Sequence, residues 1–238
     1  MTSNASKKVG FFVTGTDTEV GKTLVSGALL LKLSQKYSRV SGYKPVVAGL
    51  EEIEGQVQNE DLMTLSLGSN FKIPPREMCP FQLKTPAAPH LVAKQENISL
   101  DYEIILESYQ ALKNKVDGIV VEGVGGFCVP FSNNKNSADF AEDIGLPVIL
   151  VVGMKLGCIN HALLSAQAIR ARGLNLAGWV ANRLQKPMPL IDENITTLQT
   201  LLKTKFLGDI PSLNPLLAQT PYSIEALEFA AEHIQIDT

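Results

Sequence analysis

The segment that most restricts the fold is Phe11–Leu30, with the sequence FFVTGTDTEVGKTLVSGALL. A short apolar run ends in a loop bounded by Gly15 and Gly21, and a segment of helical periodicity starts at Lys22. This order is typical of a buried strand that passes through a tight loop into a helix. The loop is therefore expected at the carboxyl end of a strand.

Strand and helix patterns alternate along the rest of the chain. The predicted strands are Val9–Thr14, Val40–Lys44, Gly118–Gly123, Pro147–Gly153 and Ala177–Asn182. The predicted helices are Lys22–Tyr37, Asp61–Leu67, Ser99–Lys115, Ile159–Arg172 and a last helix from Ser223. The alternation predicts an α/β fold with a parallel sheet and helices on both faces. Ligands of such sheets bind beyond the carboxyl ends of the strands.

Domain organisation is predicted to be simple. The 238 residues suit one α/β domain over residues 1–238, with residues 1–8 as a flexible polar tail. Phe71–His90 contains five prolines and is predicted to be extended or looped, as an excursion that covers one side of the site.

The glycine-bounded loop resembles a phosphate-binding loop of the P-loop NTPase type. Five residues separate Gly15 from Gly21, whereas the common motif has four before its G-K-[ST]. Backbone N–H groups of such a loop hold phosphate oxygens, Lys22 reaches the outer phosphates, and the Thr23 hydroxyl helps to hold Mg²⁺. The motif predicts ATP and Mg²⁺ as ligands.

Three further polar residues are candidates for this site. Glu122 follows a buried apolar strand and is predicted to bind the metal, while Asp61 is either a second metal ligand or an ordinary helix N-terminal residue. Lys44 ends a predicted strand, and its position leaves open whether it points toward the phosphates or is an exposed charge. An exposed strand-end charge contributes little to the core, so Lys44→Ala is expected to leave folding nearly intact.

Composition excludes several classes of function. The net charge of −3 gives no basis for nucleic-acid binding, and no apolar stretch is long enough for a membrane span. Cys79, Cys128 and Cys158 lack the spacing of a zinc site or a disulfide framework and are predicted to be free thiols in a reducing cytoplasm.

Five segments together resemble dethiobiotin synthetase: FVTGTDTEVGKT, GYKPV, VEGVGG, LPVILVVGMKLGCINHALL and AGWVAN. The likeness runs from about Val9 to about Pro211. It implies a cytoplasmic homodimer that carboxylates 7,8-diaminononanoate with CO₂ and closes the ring to dethiobiotin, with ATP converted to ADP and phosphate. The implied intermediates are a carbamate and a mixed carbamic–phosphoric anhydride.

The resemblance also implies roles for individual residues. Implied catalytic residues are Lys44, Lys22 and Thr18. Implied nucleotide contacts are Glu19, Val20, Gly21, Lys22, Thr23, Leu24, Asp61, Glu122, Gly123, Val124, Gly125, Asn182, Arg183, Pro211, Ser212 and Leu213. Implied metal ligands are Thr23, Asp61 and Glu122. Implied substrate contacts are Lys44, Ala48, Gly126, Phe127, Gly157, Cys158, Ile159 and Asn160, the last four reaching across a two-fold interface.

The sequence departs from the family at Ala48, where serine is common, and at Arg183, where an acid is common. Two other classes share the fold. Partition or site-selecting switch ATPases carry a lysine after the first loop glycine, and this chain has Thr16 there. Corrinoid amide ligases usually append a glutaminase domain with a nucleophilic cysteine, for which only Cys158 near His161 is a weak candidate.

Overall fold

A computed structural model describes residues 8–53 and 55–236. The described strands are β1 Val9–Gly15, β2 Val40–Tyr43, β3 Val46–Ala48, β4 Glu51–Ile53, β5 Gln56–Gln58, β6 Phe81–Leu83, β7 Gly118–Glu122, β8 Val148–Met154, β9 Leu176–Arg183 and β10 Phe206–Ile210. The described helices are α1 Lys22–Ser34, α2 Glu60–Gly68, α3 Pro75–Met78, α4 Pro89–Gln95, α5 Tyr102–Lys115, α6 Ser137–Ile144, α7 Cys158–Ala171, α8 Ile191–Leu202 and α9 Ile224–Glu232.

Six strands form a parallel sheet in the order β10-β9-β8-β1-β7-β2. Successive residues of β1 enter different cores, since Phe12 packs on one face of the sheet and Val13 on the other. Helices α5 to α8 cover the first face, and α1, α2 and α9 cover the second. The predicted α/β fold with helices on both faces is confirmed.

The register of the sheet brings the predicted site together. Val13 of β1 pairs with Glu122 of β7, and Tyr43 of β2 pairs with Val121. Lys44, the residue after β2, therefore lies beside Glu122. On the other side of β1, Gly153 of β8 pairs with Asn182 of β9.

The proline-rich stretch has more regular structure than expected. It contains α3, β6 and the start of α4, and β6 pairs in parallel with β3 next to the end of β2. The Lys44 N–H donates to the Met78 carbonyl at 2.9 Å, so the excursion supports the residue that follows β2. The predicted tail lies outside the described residues apart from Lys8, whose ammonium donates to the Lys113 carbonyl.

Candidate functional site

The β1–α1 loop is held by close packing. Val20, the last residue before Gly21, is fully buried. A Cβ added at Gly15 would lie 2.5 Å from one Val20 methyl, and a Cβ added at Gly153 would lie 2.8 Å from the other. The loop is one residue longer than the common motif, and two glycines, one at each side of Val20, leave space for the Val20 side chain within it.

Gly21 ends the loop and begins α1. Its φ of 89° is a left-handed conformation, and an added Cβ would overlap the side-chain amide of Asn182. That amide donates to the Val20 carbonyl at 2.9 Å. Within the part of the chain that the structure describes, no side chain caps α1, so the N–H groups of its first turn face the loop and favour an anion.

Lys22 follows immediately and points back into the loop. Its ammonium donates to the Asp17 carbonyl at 2.9 Å, and the residue is only 7% exposed. Burial, assisted by the nearby positive charge of Lys44, lowers the pKa of Lys22 to about 8. The ammonium therefore lies in a poorly solvated place where phosphate oxygens would stabilise its charge.

Four residues predicted at separate places in the sequence form one cluster. The Thr23 hydroxyl lies 2.7 Å from Asp61 Oδ1 and 2.9 Å from Glu122 Oε1. Lys44 Nζ lies 2.7 Å from Asp61 Oδ2 and 2.5 Å from Glu122 Oε1. Lys44 and Glu122 are buried, with relative exposures of 3% and 0%. The alternative of an exposed charge at Lys44 is therefore wrong.

The cluster explains the ionisation of its members. Burial acts to lower the pKa of Lys44, but the carboxylates of Asp61 and Glu122 outweigh burial and raise it. Burial acts to raise the pKa of Asp61, and the Lys44 ammonium outweighs it, so this pKa is lowered. Both pKa shifts favour the ionised pair at neutral pH.

Asp61 is placed by its helix, as both sequence interpretations required. Asn59 caps α2, because its side chain accepts hydrogen bonds from the N–H groups of Asp61 and Leu62. Asp61 therefore lies in the first turn without being the cap itself, and its carboxylate is free to turn toward Thr23 and Lys44. The two interpretations of Asp61, as a helix N-terminal residue and as a member of the site, therefore hold together.

The residues present fit a magnesium ion. Thr23, Asp61 and Glu122 supply the hard oxygen donors that Mg²⁺ prefers. Glu122 Oε2 is buried and has no hydrogen-bond partner among the described residues, which is costly unless a ligand or cation occupies that side. Such an ion would neutralise charge on bound phosphates.

The segment after β7 approaches the loop with backbone. Gly123 donates to the Val13 carbonyl at 2.8 Å, and Gly125 has a φ of 59°, with its added Cβ 3.6 Å from the Thr18 hydroxyl. The side chain of Phe127 is buried in the core, and its carbonyl accepts from the Ser137 hydroxyl. The predicted contact of Phe127 with a substrate therefore stays a prediction about its backbone.

On the β9 side, Arg183 is already engaged. Its guanidinium forms a two-pronged ion pair with Asp209 and a further ion pair with Asp192. Nothing in the sequence alone linked these acids to Arg183, because they lie on β10 and α8. Nearby, Gln185 donates to the Leu213 carbonyl at 2.6 Å, which holds the loop of Pro211, Ser212 and Leu213 beside the end of β9.

The start of α7 forms a separate part of the candidate site. Gly157 begins the helix with a φ of 93°, while Leu156 is 94% exposed and Asn160 is exposed. Cys158 is buried, and burial raises the pKa of its thiol. This environment is opposite to that of a nucleophilic cysteine. Ala48 lies in β3 and packs partly against the core.

Two links were missed by sequence reasoning. Lys155, before α7, forms an ion pair with Asp17 of the β1–α1 loop at 2.7 Å. The segment before α9 is bound to α2, since Thr220 donates to Glu60 and the Tyr222 N–H donates to the Thr64 hydroxyl. Contacts of this kind depend on tertiary structure and leave no local pattern.

Comparison with known proteins supports the class of fold and site. The model of a family described as an AAA domain (AAA_26) matches residues 9–220, so the chain belongs to this family. The fold is that of P-loop ATPases. Family membership and fold support the predicted ligands ATP and Mg²⁺.

Several solved structures share the fold at low sequence identity. The septum site-determining protein MinD from Pyrococcus horikoshii OT3, complexed with Mg-ADP, is 16% identical, with 93% of this chain and 85% of that chain covered and a TM-score of 0.54. A ParA family ATPase from Chlorobium tepidum TLS is 14% identical, with 94% and 89% covered and a TM-score of 0.57. The cell division ATPase MinD from Pyrococcus furiosus is 17% identical, with 95% and 97% covered and a TM-score of 0.50.

Within residues 8–53 and 55–236, none of the helices combines the length and the apolar character required to span a bilayer.

Proposed function

We propose that this protein is an ATP-dependent ligase that converts 7,8-diaminononanoate, CO₂ and ATP to dethiobiotin, ADP and phosphate. The proposal is supported by the five sequence segments that resemble dethiobiotin synthetase. The observation that carries it is the position of Lys44, a second lysine that is buried against Asp61 and Glu122 and close enough for its charge to act on Lys22 of the loop.

The chemistry explains why a second lysine matters. In the proposed reaction a carbamate oxygen attacks the γ-phosphorus of ATP, and the bond from that phosphorus to the bridging oxygen of ADP breaks. Two anions must approach one another, so positive charge at the point of transfer lowers the barrier. Lys22 and Lys44 are two buried ammonium groups beside the loop, whereas Lys155, which pairs with Asp17, is partly exposed. Attack by neutral water brings one anion fewer to the γ-phosphate, so it needs less positive charge there than attack by a carbamate.

Ring closure follows from the mixed anhydride. The second amine attacks the carbonyl carbon, the carbon–oxygen bond to phosphate breaks, and the amine proton is lost as phosphate leaves. The protein contributes mainly by holding the amine near the anhydride. An added Cβ at Gly125 would lie 3.6 Å from the Thr18 hydroxyl, and one at Gly126 would lie 3.8 Å from the Gly15 carbonyl oxygen, so this segment approaches the loop closely. We assign Thr18, Gly126 and the backbone of Phe127 to the proposed substrate.

The proposed enzyme is a homodimer in which α7 contributes to the substrate site of the partner. Leu156 is almost fully exposed, and the neighbouring helix start offers N–H groups to a carboxylate. An exposed leucine beside a helix N-terminus suits a contact with a second copy and with the substrate's acidic end.

A nucleotide-controlled switch ATPase of the septum-site or partition type is the second candidate. The solved structures that share the fold favour it. Against it, the lysine that such proteins carry after the first loop glycine is replaced by Thr16, whose N–H donates to the Val151 carbonyl at 3.0 Å. The likeness to the switch ATPases is a likeness of fold alone. The ligase proposal also explains the buried position of Lys44.

One assay separates the two candidates. Purified protein is incubated with Mg-ATP, bicarbonate and 7,8-diaminononanoate, and dethiobiotin is sought by mass spectrometry while phosphate is measured. The ligase proposal requires phosphate release that depends on the diamine and matches the product formed. Phosphate release that is indifferent to the diamine, with no dethiobiotin, would support the switch. Lys22→Ala serves as the background, and Lys155→Ala is the matched lysine variant outside the cluster.

A further inference from the structure

Lys44 and a metal ion depend on the same carboxylate oxygens. Lys44 Nζ contacts Asp61 Oδ2 at 2.7 Å and Glu122 Oε1 at 2.5 Å. The Thr23 hydroxyl contacts the same Glu122 oxygen at 2.9 Å and the other Asp61 oxygen at 2.7 Å. Two of the three predicted metal ligands, Asp61 and Glu122, are therefore also the residues that hold Lys44.

The charges of this cluster determine how it responds to a divalent cation. Two carboxylates and one ammonium leave a single net negative charge, which a divalent ion reverses to positive. In a buried site, like charges a few ångströms apart repel strongly because little water screens them. Lys44 and such an ion would therefore repel each other, while phosphate oxygens bound at the neighbouring loop would attract the ammonium.

We propose that Lys44 exchanges partners when the metal binds. Asp61 and Glu122 hold the ammonium until the metal takes over their oxygens, and the released Lys44 then turns toward the phosphate-binding loop. Metal binding thereby controls when a lysine becomes available for transfer. The inference rests on the metal ligands and the Lys44 role of the proposed function, but it does not depend on which molecule the enzyme carboxylates.

Glu122 provides the route for this exchange. One of its oxygens contacts both Lys44 and Thr23, whereas Oε2 is buried without a hydrogen-bond partner among the described residues. A metal ion held at this oxygen alone would leave the contacts of Lys44 in place. A metal ion held by Asp61 and Thr23 as well would compete with the Lys44 ammonium for its carboxylate oxygens.

Pulse acetylation of the wild-type chain tests the exchange directly. The purified protein is treated briefly with acetic anhydride, with or without saturating MgCl₂, and each lysine is quantified by mass spectrometry. We expect magnesium to increase acetylation of Lys44 about tenfold, because release exposes a buried amine. Lys155, an ion-paired lysine outside the cluster, serves as the internal control and should not change. Unchanged labelling of Lys44 at saturating magnesium would overturn the proposal.

Metal affinity gives a second, independent test. Binding of Mn²⁺ to the full chain is followed by electron paramagnetic resonance for wild type, Lys44→Met and the control Lys155→Met. Removal of the competing ammonium should tighten Mn²⁺ binding by Lys44→Met at least about tenfold. Equal or weaker binding by a folded Lys44→Met protein would contradict the exchange, and if that variant does not fold, the wild-type labelling decides. Neither Lys44 acetylation nor Mn²⁺ affinity depends on the diamine. The partner exchange can therefore be found in a protein without ligase activity, or be absent from one that has it.

Discussion

The β1–α1 and β8–α7 junctions begin alike and end differently. In each, a parallel strand passes into a helix whose cap is a left-handed glycine, with a φ of 89° at Gly21 and 93° at Gly157. An added Cβ at Gly21 would overlap Asn182, whereas no atom of the described residues lies within 4 Å of one at Gly157.

The difference shows which junction the chain completes by itself. The β1–α1 junction is enclosed by the end of β9 and by the buried charges of Lys44 and Glu122. The β8–α7 junction presents Leu156 to solvent and is joined to the first junction by the partly exposed Lys155–Asp17 pair. The β1–α1 junction, which is enclosed by residues of the same chain, suits the nucleotide. The exposed β8–α7 junction suits the proposed substrate and a second copy of the chain.

The largest expected difference between the junctions is in charge. Lys44→Ala should lower the free energy of unfolding by about 3–5 kcal/mol, since it leaves Glu122 buried without its partner. This replaces the expectation, drawn from sequence alone, that folding would be nearly intact. Lys155→Ala removes a surface pair and should cost less than about 1 kcal/mol. Urea denaturation measures both.

The same experiment has an internal check. Adding Glu122→Gln to Lys44→Ala should recover part of the lost free energy of unfolding, because the uncompensated charge is removed. Turnover should remain absent in both variants. Equal and small losses for Lys44→Ala and Lys155→Ala would mean that the two junctions do not differ in this way.

The glycine caps are expected to differ next. Gly21→Ala combines left-handed strain with a collision at Asn182 and should lower the free energy of unfolding by about 3 kcal/mol or more. Gly157→Ala has strain but open space and should cost about 1–2 kcal/mol. Calorimetric melting compares the pair, and a larger loss at Gly157 would show that the second junction is also enclosed.

Proton binding distinguishes Lys22 from an exposed lysine. With its pKa lowered to about 8, Lys22 loses charge as pH rises, so ADP affinity should fall by up to about tenfold per pH unit above about 8. Protein stability should show the opposite trend between about 8 and 10.5, because the unfolded chain binds more protons in that window. Isothermal titration calorimetry checks the affinity. Lys22→Arg should remove the pH dependence, and a sloping profile in that variant would assign it to another group.

The smallest effect on stability is expected at the exposed leucine. Leu156→Ser should change the free energy of unfolding of the protomer by less than about 0.5 kcal/mol, since the side chain is 94% exposed. Self-association measured by sedimentation should nevertheless weaken if α7 contacts a second copy. A dimer of unchanged strength in Leu156→Ser would mean that Leu156 is not part of the dimer interface. A monomeric wild-type protein would contradict the proposed interface itself.

The predicted sheet was mostly recoverable from sequence because its central strands are continuous apolar runs. Elements with weaker patterns were missed. Edge strand β10 contains Gly208 and Asp209, which disfavour a strand prediction. Helix α8 follows Leu190, which lacks a capping side chain. Helix α6 did carry a usable signal, since Asn136 and Asp139 form a capping box.

The candidate site was predictable to the extent that strand ends meet at one edge of a parallel sheet. This placed Thr23 and Glu122 near one another and made Lys44 a reasonable third member. The partners of each charge were not predictable, since Lys44–Asp61 and Arg183–Asp209 join distant elements through side-chain directions. Burial of Lys44 likewise depends on the excursion that contains α3 and β6.

Val20 has a consequence for the thermodynamics of nucleotide recognition. Its methyl groups occupy the space left by Gly15 and Gly153, and its carbonyl is tied to Asn182. Because the loop is fixed at Val20, its backbone amides are already oriented before the nucleotide binds. Little configurational entropy then has to be surrendered on association, and more of the attraction to the polyphosphate becomes net affinity.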